Sequence, residues 1–195
     1  MRELNPGKFQ SPVPILLKTR NLIFGEDRPD IYTRITFHIN LLIWAAFMIW
    51  NLFSYFAITL RTIIQQQKGI PVETIIQERG LTLGFEYDEF LPRLLTFHGI
   101  AIICWALFFF GLILLYRKKK QFSYFIFGSA IFYIGMSILY LSFTYFIEDT
   151  TTFDKIALLV LLASCSLYAY LLKNERNGGS ISFFGEVQDE VDLLD

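Results

Sequence analysis

Long charge-free apolar runs alternate with short charged segments along this chain, and each run is long enough to cross a bilayer. The first lies between Arg34 and Arg61 (RITFHINLLIWAAFMIWNLFSYFAITLR), with 26 interior residues and no ionised side chain among them. At about 1.5 Å per residue the two arginines stand roughly 40 Å apart along a helix, the thickness of a bilayer with its headgroups. Three further runs follow at residues 94–116, 121–147 and 156–172. The pattern predicts an all-α integral membrane protein, a four-transmembrane-helix bundle with spans at about 36–60, 94–116, 121–147 and 154–172.

Polar positions give the first span a side. At about 100° per residue, Thr36, Asn40, Asn51, Ser54 and Arg61 fall within a sector of roughly 80°. A carboxamide in hydrocarbon lacks water to satisfy it, so Asn51, near the middle of the span, is expected to face another helix or a hydrated cavity. The third span carries a different signature. Gly128, Gly135 and Ser142 recur every seven residues, and Ser123, Ala130, Ser137 and Thr144 do the same on nearly the opposite face. Small residues let helix backbones approach, so these positions join Asn40, Asn51 and Ser54 as expected helix-packing sites. Gripped on both faces, the third span is expected at the centre of the bundle; the competing reading gives one of its faces to a second protein.

The segments outside the spans are short. Residues 1–34 begin with a proline-rich stretch that predicts extended chain. Residues 15–24 (ILLKTRNLIF) read either as an interfacial helix or as a segment docked on a partner. Pro29 then argues against a continuous helix into the first span. In the link 61–93, Pro71 suits a first helical turn and Gly80 a stop, which predicts a short helix over 71–79 lying across the end of the bundle. GFEYDEF reads as an acidic loop with aromatic anchors. Residues 173–195 form an acidic tail. Coiled as a helix, it gathers Phe184, Val187, Val191 and Leu194 near one face, opposite Glu186, Asp189, Glu190 and Asp192. Anionic lipid repels such a helix, so those four apolar residues are expected anchors for a partner protein. A solvated tail, or one folded back on the basic turn 117–120, is the alternative.

Composition agrees with the pattern: 54% hydrophobic, 17% aromatic and 18% charged residues with a mean hydropathy of +0.45 exclude an ordinary soluble domain. The net charge of −1 gives no reason to expect a nucleic-acid partner. Its distribution says more. The N-terminal segment, the turn 117–120 and the tail hold twelve lysines and arginines, the link and the last turn five. By the positive-inside rule both termini and the basic turn are cytoplasmic, with Arg34, Arg61, Arg117, Lys118, Lys119 and Lys120 anchoring the spans at the headgroups. The first run begins too late and runs too long for a cleaved signal and is expected to serve as an uncleaved anchor.

Candidate chemistry is sparse. His38 and His98 sit near opposite membrane surfaces, roughly 20 to 25 Å apart in depth, so one haem cannot use both. Each is expected to be satisfied at an interface by a carbonyl or water. Cys104 and Cys165 lie inside spans and read as small apolar residues. The span interiors hold no Asp, Glu, Lys or Arg, which counts against a proton pump, an antiporter or a voltage sensor. No phosphate loop, HExxH, GxSxG or metal-spaced Cys/His set occurs, so catalytic residues, metal sites and cofactors are not expected. The reading is a noncatalytic subunit or assembly factor of a larger membrane protein complex, with lipid and other integral membrane proteins as partners. The alternative is a homo-oligomeric channel or facilitator lined by the polar face of the first span; an enzyme using His38 or His98 is a weaker third. Size and compactness favour a bacterial inner membrane over an organellar one.

Overall fold

The computed structural model describes residues 18, 20, 21, 23–25 and 29–176, with side chains through Asn174. The described segments are helical or turn, in six labelled helices. The first is α1 (Ile31–Thr59), capped by Asp30, whose carboxylate accepts from the Thr33 N–H at 3.1 Å and the Thr33 hydroxyl at 2.6 Å. The chain bends at Leu60 into α2 (Arg61–Lys68), which ends on Gly69 in the left-handed conformation at φ 68. Then come α3 (Val72–Thr82), α4 (Phe90–Tyr116), α5 (Phe122–Glu148) and α6 (Thr152–Arg176). A reciprocal capping box opens α6: Thr151 Oγ1 accepts the Asp154 N–H at 3.1 Å and Asp154 Oδ2 accepts the Thr151 N–H at 3.1 Å.

Four of these helices, α1, α4, α5 and α6, are long and apolar enough to cross a membrane, which fits a multi-pass integral membrane protein. Their outer surfaces are what hydrocarbon requires. Leu42, Ile49 and Phe53 on α1, Tyr124 and Leu139 on α5, and Leu159 and Leu167 on α6 are all exposed.

The centre of the bundle belongs to α4. It packs against α1 on one side and α5 on the other and carries α3 at its N-terminal end, while α6 lies against α1 and α5. Twelve of its residues are buried, against six in α5. The expectation of a central third span therefore gives way. The reason is bulk: Phe97, Trp105, Phe108 and Leu112 project from α4 toward both neighbours, whereas only one face of α5, with Ile126, Ala130, Ser137 and Leu141, meets the core. Phe47 stacks on Trp105 with centroids 4.6 Å apart, and Trp44 Nε1 donates to the Trp105 carbonyl at 2.8 Å, which ties α1 to α4.

α5 is broken near its end. Ser142 sits at φ 79, ψ 159, a conformation that L residues rarely adopt. Its hydroxyl accepts the Tyr145 N–H at 3.3 Å, restarting the helix, and Arg93 Nη1 reaches the Tyr140 carbonyl at 3.5 Å just before the break. α3 covers this end of the bundle. Arg79 donates through Nε to Asp149 at 2.9 Å and through Nη2 to Glu148 at 3.2 Å. Gly80 does not stop the helix, which runs on to Thr82; a Cβ there would collide with the Phe90 side chain, so the glycine serves close approach. The turn falls instead at Gly84, with φ 89.

At the opposite end, Lys18, Arg20, Asn21, Ile23 and Phe24 are helical, and the Phe24 ring packs edge-on to Phe37 and Tyr116 at 5.8 and 5.2 Å. Phe24 thus docks on the bundle of its own chain. The remaining residues of 15–24, and the tail positions Phe184, Val187, Val191 and Leu194, lie outside the described residues.

Candidate functional site

The polar side of α1 turns inward at its asparagines, while Thr36 and Ser54 are half-buried. Thr33, Asn40 and Asn51 have no exposed surface. Thr33 Oγ1 lies 2.9 Å from the Tyr168 hydroxyl on α6, and Asn40 Nδ2 donates to Ser164 Oγ on α6 at 2.9 Å and to the Thr36 carbonyl at 2.8 Å. Asn51 faces α4 instead, where its Oδ1 stands 2.9 Å from His98 Nδ1. Arg61 pairs with Glu73 at 2.9 Å.

The Asn51 contact assigns a proton to His98 Nδ1. Asn51 Nδ2 donates to the Phe47 carbonyl at 2.8 Å, and a carbonyl only accepts, so the atom turned to His98 is the amide oxygen. That oxygen also only accepts. The proton therefore sits on His98 Nδ1, and a neutral ring presents Nε2 as a bare lone pair. The residue is 5% exposed, and Nε2 has no hydrogen-bond partner among the described residues. A buried histidine satisfied by a helix–helix amide replaces the expected interfacial one with a carbonyl or water. His38 does take a carbonyl: it is exposed, and its Nδ1 lies 2.6 Å from the Arg34 oxygen.

Beside His98 is a small cavity of about 40 Å³ between α1, α4, α5 and the start of α6. His98 and Ser137 line its interior, Trp50, Phe97, Tyr133, Tyr145 and Phe146 its walls, and Asp149, Thr150 and Asp154, in and around the α5–α6 turn, its mouth. Such a volume has room for roughly two or three water-sized groups. Further into the bundle, Trp105, Phe108, Leu112 and Leu115 are 1% exposed or less, so no polar passage continues through the core.

The small residues of α5 divide. Ala130 and Ser137 are buried, whereas Gly128 and Thr144 are exposed and Gly135 is half-buried; a Cβ on Gly128 or Gly135 would meet nothing within 4 Å. Ser142 makes the helix break. The glycine that brings two spans together is Gly111 on α4, where a Cβ would stand 2.8 Å from Ile126 Cγ1 and 3.2 Å from the Ile126 backbone nitrogen. Among the basic residues, Arg34, Arg117, Lys119 and Lys120 are exposed, and Lys118, in the left-handed conformation, pairs with Asp30 at 2.8 Å. Residue counting missed the Asn51–His98 pair and Gly111. A signal for the pair exists: Asn51 lies eight residues before the end of α1 and His98 eight after the start of α4, equal depths on antiparallel neighbours.

No family model, curated protein or solved structure matches the chain.

Proposed function

We propose that this chain is a noncatalytic integral-membrane subunit or assembly factor of a larger membrane protein complex, whose other members are integral membrane proteins. The observation that carries the reading is the face of α5 at Gly128 and Gly135. Glycine weakens a helix, by about 0.5–1 kcal/mol relative to alanine in soluble proteins, and in membranes small residues find their use where another helix approaches. Among the described residues, no helix of this chain approaches either glycine. A helix of another protein supplies the missing contact.

The channel reading has less support, because Thr33, Asn40 and Asn51 on the polar face of α1 are buried and hydrogen-bonded to α4 or α6. In the proposed setting both termini and the basic turn 117–120 face the cytoplasm, as the bias of lysine and arginine favours, and the membrane is a bacterial inner membrane. Gentle extraction at native abundance through an N-terminal affinity handle, followed by mass spectrometry, tests the reading. The expected result is stoichiometric recovery of other membrane proteins, lost when Gly128 and Gly135 are both changed to Leu. A lone monomer, or partners indifferent to that change, overturns it.

A further inference from the structure

We infer that the cavity beside His98 is a binding site for a compact primary ammonium group, carried by a free alkylamine or by an aminophospholipid headgroup. Two atoms at its interior can accept from a donor. With the proton placed on Nδ1 by the Phe47 carbonyl acting through Asn51, the neutral His98 ring presents Nε2 as a lone pair, with no partner among the described residues. Ser137, 3% exposed and on the same cavity wall, makes no hydrogen bond within the described residues. Both residues line the cavity. Each accepts a hydrogen bond from N–H.

The mouth adds charge of the right sign. Asp149 meets Arg79 through Oδ1, and Asp154 caps α6 through Oδ2, which leaves one oxygen of each carboxylate outside those bonds. Trp50, Tyr145 and Phe146 line the cavity with aromatic surface, the environment that attracts an alkylammonium. Other ligand classes fit less well. An anion meets the Asp149 and Asp154 carboxylates at the mouth. A metal ion lacks ligands, since no three His, Cys, Asp or Glu gather among the described residues. At about 40 Å³ the space suits an –NH3+ with a carbon or two and is small for a trimethylammonium. This inference stands apart from the complex reading.

The test uses the full chain in phosphatidylcholine nanodiscs, titrated with ethylammonium chloride or tetramethylammonium chloride and followed by calorimetry. Saturable binding of ethylammonium is expected, at least ten-fold tighter than tetramethylammonium. Asp154→Asn, which retains an oxygen for the α6 cap, and Ser137→Ala, which removes only a hydroxyl, each weaken it about ten-fold while the thermal unfolding midpoint of the unliganded chain stays in place. A parallel arm exchanges part of the lipid for phosphatidylethanolamine. If that lipid alone raises the unfolding midpoint of the wild type but not of Asp154→Asn, the headgroup is the source; if only ethylammonium does so, the source is a free amine. No saturable binding in either arm, equal binding of tetramethylammonium, or binding indifferent to both substitutions overturns the inference.

Discussion

Two spans of this protein carry a stripe of small or polar residues, and the two stripes are covered differently. On α1, Thr33, Asn40 and Asn51 are fully covered and joined by hydrogen bonds to α6 or α4. On α5, Ala130 and Ser137 are buried, whereas the face at Gly128 and Gly135 meets open space. The physics separates them. A carboxamide in hydrocarbon has one favourable environment, a hydrogen-bond partner, so its direction is dictated. A glycine carries no polar side chain that must be paired, so its direction is set by which helix approaches it and not by any need of its own.

The largest effect that sharpens this contrast is expected from Asn51→Leu. It leaves the His98 Nδ1–H buried without a partner, at a cost of about 1–3 kcal/mol in unfolding free energy. Denaturation in mixed micelles measures it, and a double-mutant cycle with His98→Leu should recover part of the loss because the orphaned donor goes too. A loss no greater than that of an alanine at Gly128 breaks the comparison.

Gly111→Ala comes next. Its new methyl meets Ile126, including backbone, so α4 and α5 must separate or Ile126 must shift, at about 1–2 kcal/mol of overpacking. Measured beside Gly128→Ala, it tells a glycine that holds helices together from one that does not.

These residues also mark what was legible beforehand. The spans were, because charge-free runs of this length have no other stable setting. The inward side of α1 was legible for the reason just given, but not which helix each asparagine meets, since that needs matched depths on neighbouring helices. The placement of α5 was not, because periodic small residues do not say whether the helix they meet belongs to this chain or to another. Gly111 stands in FFFGLILL with no polar or periodic companion, so nothing singled it out. Gly80 was read as a stop because glycine serves both stops and close contacts, and only the Phe90 side chain distinguishes the two. The cavity was invisible: His98, Ser137 and Asp154 come from three helices and share no motif.

A smaller effect lies at the start of the α1 stripe. Burial raises the Asp30 carboxyl, but hydrogen bonds from Lys118 and Thr33 outweigh it and pull the group down to about 2. The sign follows: the Asp30 contribution is present above the ordinary carboxylate range and fades as pH falls through about 2. Asp30→Ala is expected to cost about 1 kcal/mol near neutral pH through loss of the cap. Asp30→Asn keeps a capping oxygen and should show a flatter loss of stability below about pH 4 than the wild type. Equal acid profiles would mean that the Lys118 contact adds nothing.

The smallest expected effect on the isolated chain is the most informative. Gly128→Ala and Gly135→Ala place methyls in open space on a helix, so unfolding in detergent should be unchanged or more difficult by up to about 0.5–1 kcal/mol. If either substitution instead destabilises the purified chain, that face is packed within the chain or between its copies, and the contrast between α1 and α5 dissolves. With stability held or raised, any loss of co-purified membrane protein is a loss at an interface. It cannot then be assigned to a misfolded bundle, because the variant that sheds its partner is at least as stable as the protein that keeps it.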